Sequence, residues 1–178
     1  MTLAVTVAGF AALPAQTLAA GSGGVGPDVR TEPPAAATVA GSKAKLRDGL
    51  SVAPSSAPPK VQRAIAAANR IVKNKPYCYG GGHADWDSRC YDCSGSVSYA
   101  LGDRGAGVLE APMPSGSFMR WGEPGRGRWV TIYANGGHMY AVIAGLRLDT
   151  SMTDGDGPGW SKANRDQAGF SIRHPRGL

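Results

Sequence analysis

Residues 128–150 read RWVTIYANGGHMYAVIAGLRLDT, and this stretch decides the fold class. Arg128–Tyr133 is dense in branched and aromatic residues, His138–Ile143 follows Asn135-Gly136-Gly137, and Leu146–Thr150 follows Ala144-Gly145. Each run reads as a strand bounded by turn residues. Links this short can only join antiparallel neighbours, because a parallel pair needs a crossover of about a dozen residues or more. With Ala144-Gly145 as a two-residue turn, Tyr140 faces Asp149 and His138 faces Ser151. Asp149 then lies diagonally from His138 on the same face, within side-chain reach. A slip of one residue presents Thr150 instead.

Upstream of the strands the period changes. Val61, Ile65, Ala68, Ile71 and Val72 fall at helical spacing, with Pro76 as the stop. A second helix is predicted from Cys93, with Val97, Ala100 and Leu101 on one face and Gly102, Gly105 and Gly107 closing it. A short helix is expected over Ser117–Trp121 and a last strand over Gly169–Arg173. Helices first and strands after indicate an α+β domain with N-terminal helices packed on an antiparallel β-sheet.

The folded domain is expected to span 61–178 of the 178 residues, enough for one core. Residues 1–20, MTLAVTVAGFAALPAQTLAA, are apolar and end in small residues, like a secretory signal peptide, although no Lys or Arg precedes the apolar run. Residues 21–60 are rich in Gly, Ala, Pro and Ser and read as a disordered linker, with an isolated helix conceivable over Ser42–Leu50. No integral membrane span is expected once the signal is removed. The net charge of +6 is spread along the chain without a basic stripe interleaved with aromatics, which argues against nucleic acid as a partner. Mild positive charge suits an anionic polymer such as a cell wall, and serves solubility equally well. The expected location is the cell envelope or outside it.

Cys78, Cys90 and Cys93 are an odd set for an exported chain, which points to one disulfide and one free thiol. Cys93 sits in Asp92-Cys93-Ser94-Gly95 at the predicted start of a helix, where backbone N–H groups and the helix dipole favour a thiolate nucleophile. Cys78 and Cys90 then remain as a pair. Other readings are a zinc site of Cys78, His83, Cys90 and Cys93, a redox pair Cys90-x-x-Cys93, and three inert cysteines. A nucleophilic Cys needs a base. His138, opening an apolar strand after a Gly-rich turn, is the preferred candidate over His83 and His174. Asp149 is preferred to Thr150 as the group that orients the imidazole, since a carboxylate fixes the tautomer and stabilises imidazolium. Trp86, Trp121 and Trp129 are candidates to line a groove, with Trp129 favoured as core.

Three segments in order carry a resemblance: Pro76-Tyr77-Cys78-Tyr79-Gly80-Gly81, Tyr91-Asp92-Cys93-Ser94-Gly95-Ser96-Val97-Ser98-Tyr99-Ala100, and Gly137-His138 opening a strand. Together they resemble the NlpC-type cell-wall cysteine peptidases, over about Val61 to Asp149. The resemblance implies a compact papain-like fold and hydrolysis of amide bonds in peptidoglycan stem peptides, often between D-glutamate and a diamino acid. It implies Cys93 as nucleophile, His138 as base, and Tyr77 positioning substrate or assisting the oxyanion. It implies no metal or organic cofactor and peptidoglycan as partner; a chain acting as a monomer is expected. Asp149 departs from the His, Asn or Gln common at the third position. The segment 102–127 and Arg173-His174-Pro175 have no counterpart in the shared motif, and the loop 83–90 is longer than usual. Two alternatives stay open: an N-acetylmuramoyl-L-alanine amidase of Cys-His type, and a catalytically silent wall-binding module.

Overall fold

The computed structural model describes residues 37–151 and 157–178. The leader expected at 1–20 and the linker through residue 36 lie outside the described residues. A two-stranded hairpin comes first, β1 (Lys45–Arg47) and β2 (Leu50–Val52), followed by α1 (Pro59–Ile71), α2 (Cys93–Leu101) and α3 (Ser115–Phe118). Then come β3 (Glu123–Pro124), β4 (Val130–Ala134), β5 (Met139–Ile143), β6 (Leu146–Asp149), β7 (Gly159–Ser161) and β8 (Ser171–His174). The last six strands form one antiparallel sheet in the order β3-β8-β4-β5-β6-β7. The class is therefore α+β, as expected. None of the described helices is long and apolar enough to cross a membrane.

The sheet is two-faced because side chains alternate along each strand. Ile132 and Ala134 of β4, Met139, Ala141 and Ile143 of β5, and Leu146 and Leu148 of β6 enter the main core. Val61, Ala64, Ile65 and Ala68 of α1 and Val97, Ala100 and Leu101 of α2 meet them there. The opposite face carries Tyr133 stacked on Tyr140, with Phe170 edge-on to Tyr140. α1 begins with Pro in its first turn, where a missing N–H costs nothing. It stops at Ile71, short of Pro76, because Lys73 adopts a positive φ of 63°. The Ile143↔Leu146 and Ala141↔Leu148 pairs set the expected register around a two-residue Ala144-Gly145 turn, both residues at positive φ.

Residues 37–60 correct the expected linker boundary. They are not an extended tether and hold no helix over Ser42–Leu50. Asp48-Gly49, at φ 49° and 77°, forms the two-residue turn of the β1–β2 hairpin. Ala44, Ala53 and Ala57 are buried in the main core, and the Ala44 N–H donates to the Ala144 carbonyl at 2.8 Å. Asn69 of α1 fastens the hairpin. Its Nδ2 donates to the Ser51 carbonyl (2.8 Å), and its Oδ1 accepts from the Ser51 N–H (3.0 Å) and from Trp160 Nε1 (2.9 Å). Small side chains succeed here because the hairpin lies close against the helix and sheet, where bulk is not needed to exclude water.

Candidate active site

The amino end of α2 is held from three directions. Asp92 is its N-cap, and its Oδ1 accepts from the Gly95 N–H (2.7 Å) and the Ser94 hydroxyl (3.0 Å). Its Oδ2 accepts from the Gly80 N–H at 3.1 Å, which ties the Gly-rich loop to the helix start. The Asp92 N–H donates to the Gly81 carbonyl and the Tyr91 N–H to the Pro76 carbonyl. The Cys78–Cys90 disulfide, with Cα atoms 5.6 Å apart, closes this loop covalently. Gly95 has a steric reason: a Cβ there would drive into the Gly81 carbonyl.

These restraints leave Cys93 as the first residue of α2, half-buried and with a free thiol. The zinc and redox readings both fail on this pairing, since Cys78 and Cys90 are bonded to each other and neither is available as a thiolate. Among the described residues no cluster of three or more His, Cys, Asp or Glu could hold a metal.

His138 is presented by a turn that the sequence reading did not assign to any one residue. The Asn135 carboxamide oxygen accepts from the backbone N–H of Gly137 (2.9 Å) and of His138 (2.8 Å). The Asn135 N–H in turn donates to the His138 carbonyl. Asn is among the residues that close such turns with their own side chain, and that was the signal available. The His138 ring reaches both neighbours. Nε2 lies 3.0 Å from Asp149 Oδ1, and the ring also hydrogen-bonds the Cys93 side chain.

Asp149 is buried, with its side chain inaccessible to solvent. Its Oδ1 also accepts from the Ser151 N–H and hydroxyl, each at 3.0 Å. Its Oδ2 faces Arg165 Nη1 at 3.4 Å and Arg147 Nε at 3.5 Å. Burial opposes the charge on this carboxylate, but the His138 and Ser151 hydrogen bonds outweigh it and hold its pKa below the usual value. His138 moves the other way. The Asp149 hydrogen bond, then that of Cys93, pushes its pKa up to about 9 against partial desolvation. At neutral pH the imidazole is therefore protonated, with a carboxylate on one side and sulfur on the other.

Other candidates are placed elsewhere. His83 Nε2 lies 3.0 Å from Asp92 Oδ1 and 2.9 Å from Ser94 Oγ, bracing the N-cap. His174, in β8, lies between Glu123 Oε2 (3.3 Å) and the Gly125 carbonyl (3.1 Å). Thr150 is buried, while Asp149 takes the imidazole. Tyr77 is 42% exposed, and its phenol is pushed up by desolvation first and then by the charges of Cys93 and Asp92. Trp129 is buried in the core, and Trp86 and Trp121 pack half-buried against it. A cavity of about 360 Å³ near the Ala144-Gly145 turn, lined by Lys43, Arg128 and Trp129 among others, contains none of Cys93, His138 and Asp149.

No protein-family model matches the chain, and no curated protein matches it.

Proposed function

We propose that this chain is a secreted cysteine hydrolase with a papain-like arrangement, similar to the NlpC-type enzymes, that cuts amide bonds in peptidoglycan stem peptides. The reading is carried by one observation: a free Cys at a helix N-terminus shares an imidazole with a buried carboxylate. A chain of this kind has little structural use for an accessible thiol beside a charged His, but it is what nucleophilic acyl transfer requires. The class of the substrate rests on the motif resemblance and the positive net charge.

In this mechanism the Cys93 sulfur, having given its proton to His138, attacks the scissile carbonyl. The carbonyl oxygen becomes an oxyanion, for which the Cys93 N–H is a donor at the free end of the helix, with the Tyr77 hydroxyl as a second. His138 protonates the departing amine, leaving a thioester on Cys93. A water then gives a proton to His138 and attacks the thioester, and the acid is released as the thiol is regenerated. Asp149 holds the ring in one tautomer throughout and balances its charge.

The test is digestion of defined muropeptides by the whole chain, with products read by mass spectrometry. New termini between D-glutamate and the diamino acid are expected, and they disappear in Cys93→Ala. Release of the peptide from its lactyl group would assign an amidase instead. Binding to sacculi with no new termini, unchanged by Cys93→Ala, would assign a wall-binding module and reject the enzyme.

A further inference from the structure

Asp149 has more partners than a residue that merely orients a histidine needs. One oxygen is taken by His138 and Ser151, and the other faces two guanidinium groups. Arg147 comes from the same strand, β6, whereas Arg165 comes from the segment between β7 and β8. Arg165 also donates to the Ser151 hydroxyl, which itself donates to Asp149 Oδ1. Its guanidinium lies 5.9 Å over the Tyr140 ring and 6.0 Å over Phe170, which lie edge-on to one another. Arg165 is thus seated by two rings, by Ser151 and by Asp149, and its side chain is only 34% exposed.

We propose that Arg165 is a positioning residue for the Cys93–His138–Asp149 group: it fixes the second carboxylate oxygen and limits how tightly Asp149 holds the imidazolium proton. The inference deepens the hydrolase reading and rests on it. A buried carboxylate with an imidazolium as its sole cation would bind that proton strongly, because so little water shares the charge. A tightly held proton makes His138 a poor acid toward the departing amine. A second cation on the far oxygen competes for the negative charge and weakens that hold. Arg147 does part of this as well, so removing Arg165 alone weakens the effect without abolishing it.

The charged and titratable groups that act on the pair come from several elements. They are Cys93 from α2, Tyr140 from β5, Asp149 and Arg147 from β6, and Arg165. The first of these to act on His138 is Asp149 itself, so a change in the charge facing Asp149 is transmitted directly.

The test uses the whole chain with Arg165→Gln, which removes the charge and keeps a polar partner for Ser151, and with Arg165→Lys, which keeps the charge. The His138 midpoint is read by NMR titration, and the pH dependence of Cys93 alkylation by iodoacetamide is read alongside. Arg165→Gln is expected to raise the His138 midpoint by about half a unit or more, as loss of a nearby charge does in a partly shielded site. Arg165→Lys restores most of the difference. With muropeptide substrate, kcat falls several-fold in Arg165→Gln while KM changes little. A midpoint that does not rise in Arg165→Gln, or that lysine fails to restore, overturns the proposal and leaves Arg165 a purely structural residue. Both titrations work without substrate. A raised midpoint in a chain that never turns over muropeptides therefore rejects only the hydrolase reading, and turnover with an unmoved midpoint rejects only this one.

Discussion

At the scale of single residues, His138 carries the most consequence. Its pKa rises from 6.5 to about 9 on folding, chiefly through the Asp149 hydrogen bond. A group raised on folding adds stability that is complete below about 6.5 and is lost as pH climbs through about 9. Thermal melts of the wild type should therefore fall off on the alkaline side, and His138→Gln should flatten that limb. On the proposed mechanism turnover should decline only as pH passes about 9, where the folded protein loses the imidazolium that protonates the amine. Asp149→Asn keeps the shape and removes the charge. It should lower kcat by about 10²-fold or more with a smaller change in KM, because the charge acts most on the imidazolium of the transition state. Equal rates in the two proteins would remove Asp149 from the reaction. Cys93→Ala should abolish turnover with little change in melting temperature, since the thiol is half-buried at a helix end, packed against the edge of the core and not within it.

At the scale of elements, the site depends on two short backbone devices. Asn135 closes the turn before β5 with two hydrogen bonds, and Asn135→Ala should cost about 1–2 kcal/mol in chemical denaturation. It should also slow turnover, because the His138 backbone loses its anchor. The Asp92 cap and the loop glycines place α2 in the same way, and Gly95→Ala should prevent the close approach to Gly81 and destabilise the chain outright. Much of this level was legible in advance. The Ala144-Gly145 turn fixed the register that sets Asp149 beside His138, and the helical spacing of α1 and the start of α2 at Cys93 stand. The hairpin at Lys45–Val52 was missed although Asp48-Gly49 is a strong hairpin signal, because the Ala- and Pro-rich flanks lowered the apparent bulk of the segment. β7 and β3 were missed because three and two residues are too few for any period to show. The Arg147 and Arg165 contacts to Asp149 had no local signal at all, since one depends on the register and the other on a distant loop.

At the scale of the whole molecule, the hairpin changes what counts as the folded unit. A fragment beginning at Val61 would leave Asn69 without the Ser51 backbone and would uncover the core beside Ala44, Ala53 and Ala57. It should melt well below a fragment beginning at Ala37, as calorimetry of the two would show, and equal melting would make the hairpin dispensable. The back of the sheet is the other large-scale feature. The rings of Tyr133, Tyr140 and Phe170 together with Arg147 and Arg165 make that face a support for Asp149. Changes there should alter the chemistry without touching Cys93.

Three thiols can be paired in three ways, and only the bond between Cys78 and Cys90 leaves Cys93 free. Either mistaken bridge would cap the Cys93 sulfur, so on the proposed mechanism an error in oxidative pairing yields an inert molecule and never one with altered selectivity. A preparation would then hold two populations, and mild reductant followed by slow reoxidation should recruit the silent one.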